Sequence, residues 1–369
     1  MLSSDYLDVL PKSIVDLYEQ YNLSIIRDIA RRLAKMGTIT DTAAWQMQRI
    51  IESGKTFENA IAELAKLTGK SKEELTKTFT QAGIKSLRFD DEIYRKAGLS
   101  PLPLNLSPAM AQTLAAGLAK TGNIMRNLTM TTAVSAQRLF INASDLAYLQ
   151  VSSGAMSYDQ AIRAAVKSVA AQGVSTIDYA TGHQEQLDVA VRRTVLTGVS
   201  QTAAVLQTKR ADEMGVDLVQ TSAHYGARPE HVVWQGRIFS RSGTDRRYPD
   251  FVTSTGYGTG PGLGGWNCRH SFFPFFPGIS QNAYDAETRK DLRNKKVTLA
   301  GKEISMYDAT QIQRGIERKI RYWKRQAAGM DAAGLDASAE NAQVATFQKQ
   351  MRIFVSDTQL PRQAPRERI

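Results

Sequence analysis

The strongest constraint on the fold lies between positions 224 and 278. Within that stretch glycine recurs at 256, 258, 260, 262, 264 and 265. Each glycine inside a helix or strand destabilises it by about 0.5–1 kcal/mol, so this run must be a set of turns. The same stretch gathers most of the chain's metal-seeking side chains. Of four histidines and one cysteine in 369 residues, His224, His231, His270 and Cys268 all fall inside it. They are spaced as His224-x6-His231 and Cys268-x-His270, two pairs that short strands at 235–240 and 268–273 would bring together. Imidazole nitrogen and thiolate sulfur are the donors zinc prefers, and four of them would close a tetrahedral structural site. The spacing matches neither a zinc finger nor an HExxH protease. The same residues equally suit a hydrogen-bonded, loop-rich core around a small buried thiol.

Arg228, Glu230, Asp245, Asp250 and Arg269 flank the cluster and read as charge pairs that fix loops. A metal with an open position beside a carboxylate would be hydrolytic instead. In that alternative His224, Glu230, His231, Asn267 and His270 would serve a metal-dependent hydrolase or nuclease, with Glu230 or Asp250 lining the open position. The strand–helix frame of such a site is not evident. The glycine run lacks the Gly-Lys-Ser/Thr ending of a phosphate-binding loop and reads as connection. Phe272, Phe273, Phe275 and Phe276, with Trp234 and Trp266, form the expected core of this module.

Before this module the pattern is helical. Ile14, Leu17, Tyr18, Tyr21, Ile25, Ile29 and Leu33 recur at three and four, one face of a helix. A helix over 40–53 follows a cap at Thr40-Asp41-Thr42, and Ser71 before two glutamates reads as the N-cap of another over about 71–83. The prolines at 101, 103 and 108 mark a linker. Alanine-rich helices are expected over 109–121, 124–141 and 157–173, and the longest helix over 184–214. A strand follows at 216–222. After the module come a hairpin turning at Ala300-Gly301, a helix over 309–326, a last helix over 331–351 and an unfolded arm from Pro361. The expected class is therefore α+β, mostly α: a long-helix N-terminal half, a loop-rich α+β module and C-terminal helices. Its expected divisions are 1–100, 101–215, 216–280 and 281–369.

Net charge is +11, and residues 289–369 carry 17 Lys+Arg against 9 Asp+Glu, so +8 of it. In the helix over 309–326, Arg314, Arg318, Arg321, Lys324 and Arg325 fall opposite Ile312, Ile316 and Ile320. Such a basic face suits sequence-independent contact with nucleic acid, an acidic protein surface, or simple solvation. Apolar runs are too short to span a membrane. A single cysteine excludes an internal disulfide framework and fits a reducing compartment.

The strings His224…Arg228-Pro-Glu-His231-x-x-Trp234-Gln235-Gly236, Gly262-Leu-x-Gly265-x-Asn267-Cys268-Arg269-His270 and Pro274-x-x-Pro277-Gly278 closely resemble the tailed-phage minor capsid protein 2 family. The likeness extends over most of the chain, including residues 188–198. A more distant similarity links it to Mu F-like head-morphogenesis proteins. The resemblance implies a non-enzymatic minor structural protein of the phage head, made in the host bacterial cytoplasm and found in the virion. Its implied partners are the portal and major capsid proteins, with packaged DNA a further candidate, and its implied role is head assembly or DNA packaging and delivery.

Overall fold

The computed structural model describes residues 1–36, 43–176 and 185–369. Helices α1 (Ser4–Val9), α2 (Lys12–Lys35), α3 (Ala43–Lys96), α4 (Pro108–Ser152) and α5 (Tyr158–Gln172) come first. Strands β1 (Ser175–Thr176) and β2 (Glu185–Gln186) form a small antiparallel pair before α6 (Leu187–Glu213). The loop-rich module holds β3 (Leu218–Thr221), α7 (Pro229–Val232), β4 (Ile238–Ser240), α8 (Phe251–Thr255) and β5 (Phe272–Pro274). Then follow α9 (Ala286–Asn294), the hairpin β6 (Lys296–Leu299)–β7 (Lys302–Ser305), α10 (Met306–Ala332) and α11 (Ser338–Thr358). The chain is mostly α with small antiparallel sheets, as expected. The hairpin turns where expected, with Ala300 at φ 49° and Gly301 at φ 77°, the double left-handed conformation of a type I′ turn.

Several helices merge. The longest is not the one over 184–214 but α3, of 54 residues, followed by α4, of 45. Ser71 does not cap. It is buried in mid-helix, where its hydroxyl donates to the Thr68 carbonyl at 3.1 Å, the back-bonding that lets serine sit inside a helix. Gly54, Gly69 and Gly122 do not break their helices either. The cap expected at 40–42 and the residues from 177 to 184 lie outside the described residues.

The chain forms two compact units, each drawn from three segments. They cut across the four consecutive divisions read from the sequence, because α3, α4, α6 and α10 each lend a part to both. Unit 1 comprises Met1–Ser13, Lys72–Ile124 and Arg192–Thr310. Leu87, Met110 and Leu206 form one of its cores, on α3, α4 and α6. Arg210 is fully buried there, 3.1 Å from Asp91 and 3.2 Å from Glu213. Unit 2 comprises Ile14–Ser71, Met125–Val191 and Gln311–Ile369. The α2 stripe of Ile14, Tyr18, Tyr21, Ile25, Ile29 and Leu33 is buried in its core. Gly329 on α10 lets Ala170, Val166 and Ile26 approach to within about a van der Waals contact of where its Cβ would stand.

The C-terminal region differs most from expectation. The segment from Pro361 is ordered: Glu367 is buried and accepts both Arg362 guanidinium bonds, at 2.7 and 2.5 Å. It lies on α10. Gln313 donates to the Pro361 carbonyl at 2.9 Å, Lys324 donates to the Glu367 carbonyl at 2.8 Å, and Arg321 donates to that of Arg366. Arg321 and Arg325 are therefore not on a solvated basic face. Arg321 pairs with Asp188 at 3.1 Å and faces Glu19 at 3.7 Å, while Arg325 is buried and reaches Gln186. Of the five basic residues Arg318 is exposed and Arg314 half-buried, and Ile312, expected in the core, is 39% exposed.

Candidate metal centre

The site is built at one end of a three-stranded antiparallel sheet, ordered β4-β3-β5, all within unit 1. Every residue of the central strand β3 is buried. Its polar members hold the flanking loops. Thr221 Oγ1 donates to the Trp234 carbonyl at 3.1 Å, and Gln220 Nε2 donates to that of Gly236 at 3.1 Å. Just past the strand, Ser222 N donates to the Ser271 carbonyl at 2.7 Å, and Ser271 N donates to Ser222 Oγ at 2.9 Å. These bonds fix α7, which carries His231, against the segment that runs from Cys268 to β5. Cys268 and His270 precede β5 rather than lying on a strand.

Three of the four expected ligands meet. The Nδ1 atoms of His231 and His270 are 3.3 Å apart, and Cys268 Sγ lies 3.9 Å from the first and 3.7 Å from the second. All three residues are buried. His224 does not join them. Its ring stacks on His270 at 4.4 Å, and its Nδ1 faces the Tyr225 carbonyl at 2.8 Å. Among the described residues no carboxylate joins the group. Glu230 is exposed on α7, Asp250 caps α8 by accepting from Thr253 N at 2.7 Å, and Asp245 pairs with Arg247.

The other signature residues build the frame. Arg228 precedes Pro229, the first residue of α7, and donates to the Trp266 carbonyl at 2.9 Å. Trp234 packs against both His231 and His270, at 4.7 and 4.8 Å between ring centroids. Gln235 Oε1 accepts from His224 N and faces His270 Nε2, both at 3.1 Å. Asn267 stands at φ 53°, a left-handed turn asparagine tolerates, and its exposed side chain leaves Cys268 to point inward. Arg269 lies 3.8 Å from Asp8. Gly262 allows backbone to pass where a Cβ would stand 2.8 Å from Gly256 Cα. The aromatic knot is divided. Phe272 joins Trp234, Phe239, Phe251, Leu263 and Cys268 in the module core, whereas Phe273 and Phe276 meet Phe89 and Tyr94 of α3. Trp266, expected in that core, is 56% exposed.

Burial sets the charge of the site. It pushes the His270 imidazole far below its ordinary pKa, with the neighbouring histidines and Arg269 adding to the shift. Burial likewise lowers His231 and takes His224 down to about 4, and it raises the Cys268 thiol. The imidazoles are thus neutral near pH 7, the form in which histidine binds a metal. His270 also lines a cavity of about 10 Å³ with Leu2, Ala204, Leu263 and Phe272. That is about the space one water needs.

Comparison with known proteins agrees with this frame. The sequence profile described as Phage minor capsid protein 2 matches residues 2–356. The chain belongs to this family. A structural protein of Lactococcus phage LL-H is 22% identical over 387 aligned positions, covering 100% of this chain and 98% of that one. A structural protein of Lactococcus phage mv4 is 31% identical over 130 positions, covering 33% of this chain and 93% of its own length. No solved structure matches the chain. Membership makes this a phage structural protein of the minor capsid class, a component of the virion. No helix among the described residues is long and apolar enough to cross a membrane.

The sequence pointed to the ligand pairs, but not to what orients them. The Pro261 carbonyl and the anchors Gln220, Thr221, Ser222 and Ser271 carried one faint signal, a polar run at the end of an otherwise apolar strand.

Proposed function

We propose that this chain is a non-enzymatic minor head protein that docks at the portal vertex, against the portal and major capsid proteins, and acts in head assembly or in DNA packaging and delivery. It is made in the host bacterial cytoplasm and becomes part of the phage head. The observation that carries the docking is a row of apolar side chains left in solvent on α3. Met47, Ile50 and Ile51 are 58%, 61% and 47% exposed, at the three- and four-residue spacing of one helix face. Neighbouring exposed apolar residues of this kind mark protein interaction surfaces. The descriptions of the family and its relatives as minor capsid and structural proteins support the non-enzymatic reading.

The test is incorporation. Met47→Glu with Ile50→Glu places charge on that face without entering the core, so the folded variant should be missing from purified heads. Heads that contain it at wild-type level would move docking elsewhere.

The charge balance supports one further element, sequence-independent contact with packaged DNA through exposed cations such as Arg318. Binding by the full chain should then weaken steeply between about 50 and about 200 mM salt. No gel retardation at the lower salt would remove DNA contact from the account.

A further inference from the structure

The hydrogen bonds around His231 and His270 fix which ring nitrogens carry protons. His231 Nε2 lies 2.8 Å from the Pro261 carbonyl, which only accepts, so Nε2 is the protonated nitrogen. Gln235 Oε1 takes the backbone N–H of His224 and so must be the acceptor end of that amide. His270 Nε2, 3.1 Å from the same oxygen, must therefore donate to it. Both imidazoles then turn an unprotonated Nδ1 lone pair inward. These two lone pairs face one another at 3.3 Å, with the sulfur of Cys268 completing the triangle. A thiol has one proton and satisfies only one of them, leaving a second buried acceptor against a like dipole. Buried polar groups are rarely left so.

We propose that His231 Nδ1, His270 Nδ1 and Cys268 Sγ are three corners of a tetrahedral zinc site that staples the module. A tetrahedral zinc with nitrogen ligands at about 2.0–2.1 Å and sulfur at about 2.3 Å sets the two nitrogens about 3.3 Å apart, and nitrogen and sulfur about 3.6 Å apart. The observed edges are 3.3, 3.7 and 3.9 Å, so closure needs only a few tenths of an ångström at the sulfur. The outer bonds have the form that metal-binding histidines use, each remaining N–H donated to an oxygen that holds the ring. On binding, Cys268 loses its thiol proton to solvent, the Zn–S bond forms, and the histidines bind as neutral rings, so one proton is released per zinc. The fourth corner falls to a water or another light-atom donor. One ion would tie α7 to the segment before β5. Through the Pro261 carbonyl it would also hold the glycine loop.

The full-length protein, purified without chelator, should carry one zinc per chain by mass spectrometry. X-ray absorption should resolve one sulfur and two imidazole nitrogens in the first shell. Replacement with Co²⁺ should give a thiolate-to-cobalt charge-transfer band and quench Trp234. Cys268→Ala should abolish the band, and His224→Gln should leave both band and stoichiometry unchanged. A folded wild-type chain that takes up neither zinc nor Co²⁺ overturns the proposal. So does a first shell without sulfur, a measurement that needs no variant. Metal lost from the folded His224→Gln chain as fully as from Cys268→Ala would overturn the ligand set. None of these outcomes depends on whether the protein docks at the portal.

Discussion

Gly117→Ala tests how tightly unit 1 is built. Gly117 of α4 lies against Thr202 of α6, and one turn further on Thr121 of α4 lies against Gly198 of α6. The two small residues let antiparallel helices cross at close range. An alanine Cβ at 117 would stand 2.7 Å from Thr202 Cγ2 and 2.9 Å from Thr202 Cβ. Carbon atoms pack best at about 3.5–4.0 Å. Rotating the threonine cannot move its Cβ, so the helices must part by roughly 0.6–1 Å, and a gap of that size forfeits about a quarter to a half of the dispersion attraction across the seam. Overpacking of this kind costs about 1–3 kcal/mol. Alanine recovers about 1 kcal/mol through its better helix propensity. The net expectation is a loss of about 0–2 kcal/mol, read as a lower urea midpoint at unchanged m-value. Thr202→Gly opens the facing position, so the double variant should be more stable than the sum of the single changes by about 1 kcal/mol. Ser200 and Ala204 of α6 touch the Cys268 carbonyl and the module core, so the loosening should also speed hydrogen exchange before β5. A Gly117→Ala chain as stable as wild type, with no coupling to Thr202, would refute the close-seam argument.

Asp90 is buried, and burial, opposed by Met1's amino group and by the Gln207 amide, pushes its carboxyl up to about 7. The folded chain thus keeps a proton that the unfolded chain loses near pH 4, so this group makes stability fall as pH rises from about 4 to about 7. Asp90→Asn should remove that slope, gaining up to about 4 kcal/mol at pH 8 and nothing at pH 4, and parallel wild-type and variant stabilities across that range would disprove it. Arg321→Met leaves the Glu19 and Asp188 carboxyls facing Arg325 alone. Loss of one partner from a buried ionic cluster should lower stability by about 3–5 kcal/mol. DNA retardation by the folded variant should stay at the wild-type level, and weakened DNA binding would show that Arg321 reaches solvent.

Periodicity made the helix faces of α2 legible, and residue type made the ligand pairs legible. Both signals are local: an apolar stripe repeats within a few turns, and His and Cys are rare enough for their clustering to stand out. Helix ends were less legible. Ser71 has the chemistry of an N-cap, but the same hydroxyl can bond a carbonyl three residues back, and only burial on the tertiary scale decides between the two. His224 shows the same limit at the site. Its type matched a ligand, yet a single carbonyl, that of Tyr225, turns its Nδ1 away.

The two errors at the C-terminus have one cause. A polar, proline-containing tail and the basic face of a helix each look solvated when read alone, because neither presents apolar side chains to bury. Together they satisfy one another. Buried Glu317 lies 3.9 Å from Arg366, and buried Gln313 donates to the Pro361 carbonyl. The face of α10 that turns inward therefore runs through Gln313, Glu317, Ile320 and Arg325, about one position away from the isoleucine stripe at 312, 316 and 320. A hydrophobic pattern finds the face that avoids water, but a helix buried against a polar segment is set by which charges find partners. The partners of Arg321 sit 45 residues away at Arg366 and 133 away at Asp188, separations at which no periodicity survives. The same pairing explains why the +8 of the last 81 residues overstates the free basic surface. Part of that charge is spent inside unit 2, and only cations such as Arg318 remain to meet a partner.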